Sequence, residues 1–196
     1  MTRLLLVRHG ESEWNALGKW QGWADPPLSS LGRVQAKVAA GAVGSVDAVV
    51  ASDLQRASQT AEIVAAELGI GPVVVDAALR ERAAGPWEGR TRHEIEEGWP
   101  GWLASGERPE GYETDEHVLD RVLPALATLE AAGESALVVT HGGVIGAVER
   151  HLGLPHNRTP NLGGRIIDVT GGRLVPGDTI LLVDEHDVRV TAPPEV

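Results

Sequence analysis

Two histidines in this sequence share an arrangement: each follows a short aliphatic run and precedes a glycine. Leu4-Leu5-Leu6-Val7 leads into Arg8-His9-Gly10, and Ala136-Leu137-Val138-Val139-Thr140 leads into His141-Gly142-Gly143. Between them, the run at 46–51 leads into Ser52-Asp53 with Arg56 just beyond, and the segment after Val75 brings Arg80-Glu81-Arg82. Histidine, arginine and one carboxyl group are the parts of phosphoryl transfer. An imidazole nitrogen is a nucleophile when the other ring nitrogen is oriented by an acceptor. The phosphoryl oxygens carry charge that must be held in line with the attack, and the planar fork of Arg holds them in pairs. A leaving alkoxide needs a proton. Glu81 is the candidate donor, with Glu88 seven residues on as the alternative.

These residues meet only if the aliphatic runs are neighbouring strands. Short runs at 4–7, 46–51, 73–75 and 136–140 alternate with helical patterns, as in a parallel-sheet α/β domain. In such sheets ligands bind beyond the carboxyl ends of the strands. Helix N-termini at that rim add N–H donors and a positive dipole end, and the glycines allow close approach of backbone to ligand. The first long helix is expected over 31–43 with Ser29 or Ser30 as N-cap. The next is expected from about 53 to 68, capped by Ser52 and ended by Gly69. Asp53 reads as a cap or first-turn charge. A helix over 113–132 contains Pro124, which should kink or split it, and another helix spans 144–152. The loop-rich stretch 83–111 holds Trp87, Trp99 and Trp102. In the tail, 166–170, Gly171-Gly172 and 173–175 read as a hairpin, with a further strand at 179–184. One domain covering 1–196 is expected, with a lid-like insertion at about 90–112.

Composition limits the partners. The 196 residues carry a formal net charge of −11, with 42% hydrophobic and 23% charged residues, ordinary for a globular chain. An acidic protein lacks the basic stripe of a nucleic-acid surface, although a few Arg can still form a local positive pocket. With no Cys, disulfides and thiolate chemistry are excluded. No apolar run approaches a membrane span or a signal-peptide core, so a cytoplasmic protein is expected. His93, His117, His151, His156 and His186 lack metal-ligand spacing, and no metal or cofactor is expected.

The motif Arg8-His9-Gly10-Glu11-Ser12-Glu13-Trp14-Asn15 resembles the signature of the histidine phosphatase (phosphoglycerate mutase-like) superfamily. The likeness continues through Gln21-Gly22-Trp23-Ala24-Asp25, Ser52-Asp53-Leu54-Gln55-Arg56-Ala57, Leu79-Arg80-Glu81, Gly85-Pro86-Trp87-Glu88-Gly89 and Val139-Thr140-His141-Gly142-Gly143. It covers roughly residues 3–150, in the family's order. The resemblance implies a three-layer α/β/α sandwich with a mostly parallel central sheet. It implies that His9 becomes phosphohistidine and that Arg8, Arg56 and His141 form the phosphate pocket. Glu81 would protonate the leaving group and then activate water. Asn15, Gln21, Gly22 and Gly142 would contact substrate.

Both branches of that family share the first half-reaction, and the spelling around Trp14 and Gly22-Trp23 looks mutase-like. Cofactor-dependent mutases resemble longer chains with a basic insertion between the acid and the second histidine. Here only 60 positions separate Glu81 from His141, and they carry Glu94, Glu96, Glu97, Glu107, Glu110, Glu113, Asp115 and Glu116. Acidity there should repel a bisphosphate. The sequence therefore reads as a phosphatase acting on a small phosphomonoester of sugar phosphate or phosphoglycerate type, with a bisphosphate-dependent phosphoglycerate mutase as the alternative. Trp99, Trp102, Tyr112 and Arg108 are the candidate contacts for the rest of the substrate, which the tryptophans would favour as an apolar or sugar face. The tail from 158 onward suggests a sheet edge or a homodimer contact.

Overall fold

A computed structural model of the chain describes residues 1–133, 135–155 and 158–184. The first strand, β1 (Thr2–Arg8), is apolar on both faces because it lies at the centre of the sheet. Leu5 and Val7 point into one core layer and Leu4 and Leu6 into the other, as alternation along a strand requires. A single turn, α1 (Glu13–Ala16), and a long helix, α2 (Ser30–Ala40), follow, the latter capped by Ser29, whose side chain accepts from Gly32 N–H. Then come β2 (Ala48–Ala51), α3 (Gln55–Leu68) and the short β3 (Val74–Val75). Two short helices, α4 (Arg92–Gly98) and α5 (Trp102–Ser105), precede α6 (Asp115–Ala132). The chain ends its described part with β4 (Ala136–Thr140), α7 (Gly142–His151), β5 (Gly163–Thr170) and β6 (Arg173–Leu181).

The six strands form one sheet in the order β3-β2-β4-β1-β5-β6. β1, β2, β3 and β4 run parallel, while β5 and β6 are antiparallel additions at one side. Alanines of α2 and α3 (Ala36, Ala39, Ala57, Ala61) cover one face, and Val118, Val122, Leu126, Val144, Ile145 and Val148 of α6 and α7 cover the other. The result is the expected three-layer sandwich. Its parallel register brings the carboxyl ends of β1, β2 and β4 side by side.

Four local expectations need correction. The helix after β2 begins at Gln55, not near 53, and Leu54 in the cap position offers no side-chain bond. Its free N–H is taken from a distance: Gln55 N–H donates to the Asp25 carboxylate at 2.6 Å. Asp53 is not a cap, because both its oxygens bind Arg80, at 2.7 and 2.5 Å. Pro124 does not split α6, which runs unbroken past it. The carbonyl deprived of a partner belongs to exposed Asp120, where water can serve it. Finally, 179–184 supplies no separate strand, since β6 simply continues to Leu181 past a register shift near Ile167. The Gly171-Gly172 hairpin is as expected, with both turn N–H groups donating to the Glu130 carboxylate. His156 and His186 lie outside the described residues.

Candidate active site

β1 and β4 deliver the two histidines to the same place. The backbone N–H of His9 donates to Thr140 O at 3.0 Å, continuing the pairing of the two strands by one residue. The rings of His9 and His141 then meet edge-on, with centroids 5.1 Å apart. His9 Nδ1 lies 2.6 Å from Gly10 O. A carbonyl can only accept, so Nδ1 carries the proton and Nε2 keeps its lone pair. Burial pushes the His9 imidazole well below its ordinary value, and the charges of Arg56 and Arg8 push it further, against the Gly10 bond. His141 is lowered in the same direction by burial first, then by Arg56 and the neighbouring His9 and Arg8. Both rings are therefore neutral at neutral pH.

Two guanidinium groups stand beside them in the interior. Arg8 Nη1 donates to Thr159 O at 3.0 Å, and Arg56 donates to Ala24 O and Gly22 O, both at 2.8 Å. Burial lowers each to about 10, with Glu81 opposing in both cases, so both remain cations. The buried Nε of Arg56 and both ring nitrogens of His141 have no hydrogen-bond partner. Unpaired buried polar groups are destabilising, and three in one spot point to a polar ligand that completes them.

Glu81 is held from several sides. Its Oε1 accepts from Arg82 N–H at 2.7 Å and its Oε2 from Gly143 N–H at 3.2 Å, at the start of α7. The approach is close: a Cβ at residue 143 would lie 2.3 Å from Glu81 Oε1 and would displace the carboxylate from this position. The Glu81 carbonyl accepts from Trp23 Nε1 at 2.8 Å and from Arg121 Nη2 at 3.1 Å. Arg121 also binds the carbonyls of Ala78 and Arg80, and both oxygens of Glu113. Glu88, the alternative acid, is used otherwise: its Oε1 accepts from the backbone of Trp23 and Ala84. By contrast, Gly10 serves packing, because a Cβ there would lie 2.8 Å from Gly32 O.

A cleft of about 720 Å³ opens above this group. Arg8, Glu81, Asn15, Gln21, Gly22 and Gly142 all line it. His9, Arg56 and His141 do not; only 2%, 0% and 0% exposed, they form the buried floor behind that lining. Asn15 accepts Ser12 N–H with Oδ1, and Gln21 accepts the Ser12 hydroxyl with Oε1. Each is thus turned so that its remaining donors are what it can offer a ligand. Arg80, by contrast, is drawn off to Asp53 and stacks on Trp23.

Two expectations about the outer wall are overturned. Trp99 and Trp102 do not line the cleft; with Trp87 and Trp20 they pack a separate small core around Ile95 and Leu103. Of that cluster Trp20, Ala84 and Tyr112 reach the cleft, together with Arg108. Nor does the acidic stretch repel anions there. Of its carboxylates only Glu113 and Asp115 line the cleft, and both are engaged. Glu113 binds Arg121 at 2.9 Å, and Asp115 binds Arg82 and Arg150. Arg8, Lys19, Arg82, Arg108, Arg150 and Arg158 also line the cleft, against three acids. The wall is positive on an acidic protein.

Sequence reasoning missed Arg121, Thr159 and Asn161. Arg121 lies within the helical pattern of α6, where an Arg reads as a solvated residue. Asn161 Nδ2 donates to His9 O at 2.9 Å from a segment with no periodic signal. Among the described residues no group of three or more His, Cys, Asp or Glu is placed to hold a metal ion. Nor is any helix among them long and apolar enough to cross a membrane.

Comparison with known proteins agrees with this geometry. The chain is 38% identical over 179 residues to a glucosyl-3-phosphoglycerate phosphatase of Mycolicibacterium vanbaalenii, covering 83% of this chain and 79% of that protein. It is 40% identical over 167 residues to a probable phosphoglycerate mutase GpmB of Salmonella paratyphi C, covering 79% and 77%. The solved structure of a mycobacterial glucosyl-3-phosphoglycerate phosphatase superposes with a TM-score of 0.82 at 31% identity, over 90% of this chain and 98% of that one. An α-ribazole phosphatase from Shigella flexneri gives 0.76 at 28% identity, over 91% and 96%. Residues 4–173 match the histidine phosphatase superfamily (branch 1), and the chain belongs to that family.

Proposed function

We propose that the protein hydrolyses small phosphomonoesters through a phosphohistidine formed on His9. The observation that carries this reading is the neutral His9, with Nδ1 bonded to Gly10 O, beside two buried arginines and three unsatisfied nitrogens. Nε2 attacks phosphorus, the N–P bond forms and the P–O bond to the leaving group breaks. Arg8, Arg56, His141 and Asn15 hold the phosphoryl oxygens as charge moves onto them. Glu81 passes its proton to the departing alkoxide. It then takes a proton from the water that attacks phosphorus, the N–P bond breaks and inorganic phosphate leaves. Gln21, Gly22 and Gly142 border the substrate.

The body of the substrate carries a second anionic group. Arg108 supports this: it stacks on Trp87 and Tyr112, hydrogen-bonds the Tyr112 side chain and donates to the backbone carbonyls of Trp102 and Glu107. Lys19 lies above the ring of Trp14 on the same wall. A phosphorylated glycerate or its glycoside has that second charge, as the name of the mycobacterial relative indicates. The segment 90–112 acts as the lid of the cleft, and a Cys-free enzyme of small metabolites fits the cytoplasm.

The test is release of inorganic phosphate from p-nitrophenyl phosphate and 3-phosphoglycerate without added bisphosphate, in wild type and in His9→Ala. Turnover by wild type and none by His9→Ala is expected. Conversion of 3- to 2-phosphoglycerate only after priming with a bisphosphate, with no phosphate released, would establish the mutase reading instead.

A further inference from the structure

Pairing of β1 with β5 ends at Val7 opposite Gly164. Arg8 and His9 lie beyond that ladder; β4 still pairs with them on one side, so on the β5 side something else must hold them. The turn before β5 does so, at two backbone carbonyls and at the Arg8 side chain. Leu162 N–H donates to Arg8 O at 3.0 Å, Asn161 Nδ2 donates to His9 O at 2.9 Å, and Thr159 O accepts from Arg8 Nη1 at 3.0 Å. A side-chain amide thus continues a ladder where no further strand residue can reach.

The turn is built at the expense of stability. Asn161 is 0% exposed, and its Oδ1 is buried with no hydrogen-bond partner. Leu162 stands at φ 56°, in the left-handed region that a branched side chain avoids. Uncompensated burial and backbone strain gather where geometry matters more than stability. An apolar residue at 161 would remove the orphaned oxygen, so stability alone does not account for an amide there.

We propose that Asn161 is a positioning residue for the nucleophile. By fixing the His9 carbonyl, its Nδ2–H fixes where the imidazole stands relative to the phosphate-holding arginines. The inference rests on His9 being the group that takes the phosphoryl. It assigns a function to part of the tail, whose sequence carries no catalytic motif.

The test uses Asn161→Leu, which keeps volume and loses the donor, and Asn161→Asp, which loses the donor and adds a carboxylate near His9. Rapid-quench trapping of the acid-labile phosphoenzyme gives the rate of His9 phosphorylation. Inhibition by inorganic phosphate reports the pocket, and thermal melting reports the fold. In Asn161→Leu, phosphorylation and kcat fall roughly tenfold to a hundredfold, the loss expected from an imidazole misplaced by an ångström or less. Inhibition by phosphate stays near wild type, because Arg8 keeps its bonds to Thr159 and Leu162. In Asn161→Asp the new charge acts against Arg8 and Arg56, which with burial and His141 surround the ring. The acid limb of kcat/KM moves to higher pH, a change that loss of packing alone does not produce. Phosphorylation at the wild-type rate in either folded variant overturns the proposal, whatever happens to melting. A wild-type enzyme that turns over with no phosphoenzyme abolished by His9→Ala removes the nucleophile itself. That failure is distinguishable from equal rates in wild type and variant, which leave His9 in place and dismiss only Asn161.

Discussion

The floor of the cleft and its outer wall both rely on arginine, and they use it differently. Arg56 is fully buried and its guanidinium is fixed by two carbonyls of the loop before α2. Arg108 is exposed and rests on the faces of Trp87 and Tyr112. A buried guanidinium with an unsatisfied nitrogen is preorganised for one anion at one position. A stacked, solvated one keeps its charge near the wall while its head can follow ligands of different shape. In the proposed reaction the floor would carry the chemistry, and the wall would select what else hangs from the phosphoryl group.

The largest test of that division falls on the floor. Glu81→Gln keeps shape but cannot donate a proton. With alkyl phosphates kcat should fall about 10²–10³-fold, in the usual range for losing a general acid. With p-nitrophenyl phosphate, whose leaving group needs little protonation, the first half-reaction should slow much less. A burst of p-nitrophenol followed by slow phosphate release would show the same residue acting in the second step. Equal slowing of the first half-reaction for both leaving groups would remove Glu81 from the acid role.

A smaller effect is expected from the wall. Arg108→Ala should raise KM about tenfold for a phosphomonoester with a carboxylate, near the value of one charge-assisted hydrogen bond. For p-nitrophenyl phosphate it should change KM little, and kcat should hold for both. If KM rises equally for the two substrates, Arg108 serves the phosphoryl group and the boundary between floor and wall lies elsewhere.

The same division decides what could be read from the sequence. His9, His141, Arg8 and Arg56 were legible because each follows a strand closely, and a parallel sheet aligns strand ends without further information. Asn15 and Gln21 were legible through a family spelling. What could not be read depends on partners far along the chain. Asp53 looks like a helix cap because local rules apply to it, yet Arg80, 27 residues away, takes both its oxygens. Trp99 and Trp102 look like cleft residues because they sit in an irregular segment, yet that segment folds inward on Trp87. The acidic stretch looks repulsive because sequence shows charges and not ion pairs, and Asp115 is neutralised by Arg82 of the loop after Glu81 and by Arg150 of α7.

Asp115 supplies the smallest test, in pH. Hydrogen bonds from Arg150, then from Arg82, lower its carboxyl from 3.8 to about 2 against the effect of burial. The folded value lies below the unfolded one, so the pair stabilises the fold above about pH 4, and that contribution is lost as pH falls through 2. At 38% side-chain exposure, solvent screening leaves about 1 kcal/mol at pH 7. The floor has another window. His9 and His141 are held neutral and take up protons only on unfolding, so stability declines once pH drops below about 6.5. In Asp115→Asn, urea unfolding should give a curve about 1 kcal/mol below wild type that runs parallel to it from pH 6.5 to 4 and converges below. The variant also frees Arg82 and Arg150 at the wall, so its KM for a doubly charged substrate should fall, opposite to Arg108→Ala. Convergence already between pH 6.5 and 4 would mean that the acid response of the floor is coupled to Asp115, and the two regions could no longer be treated as separate.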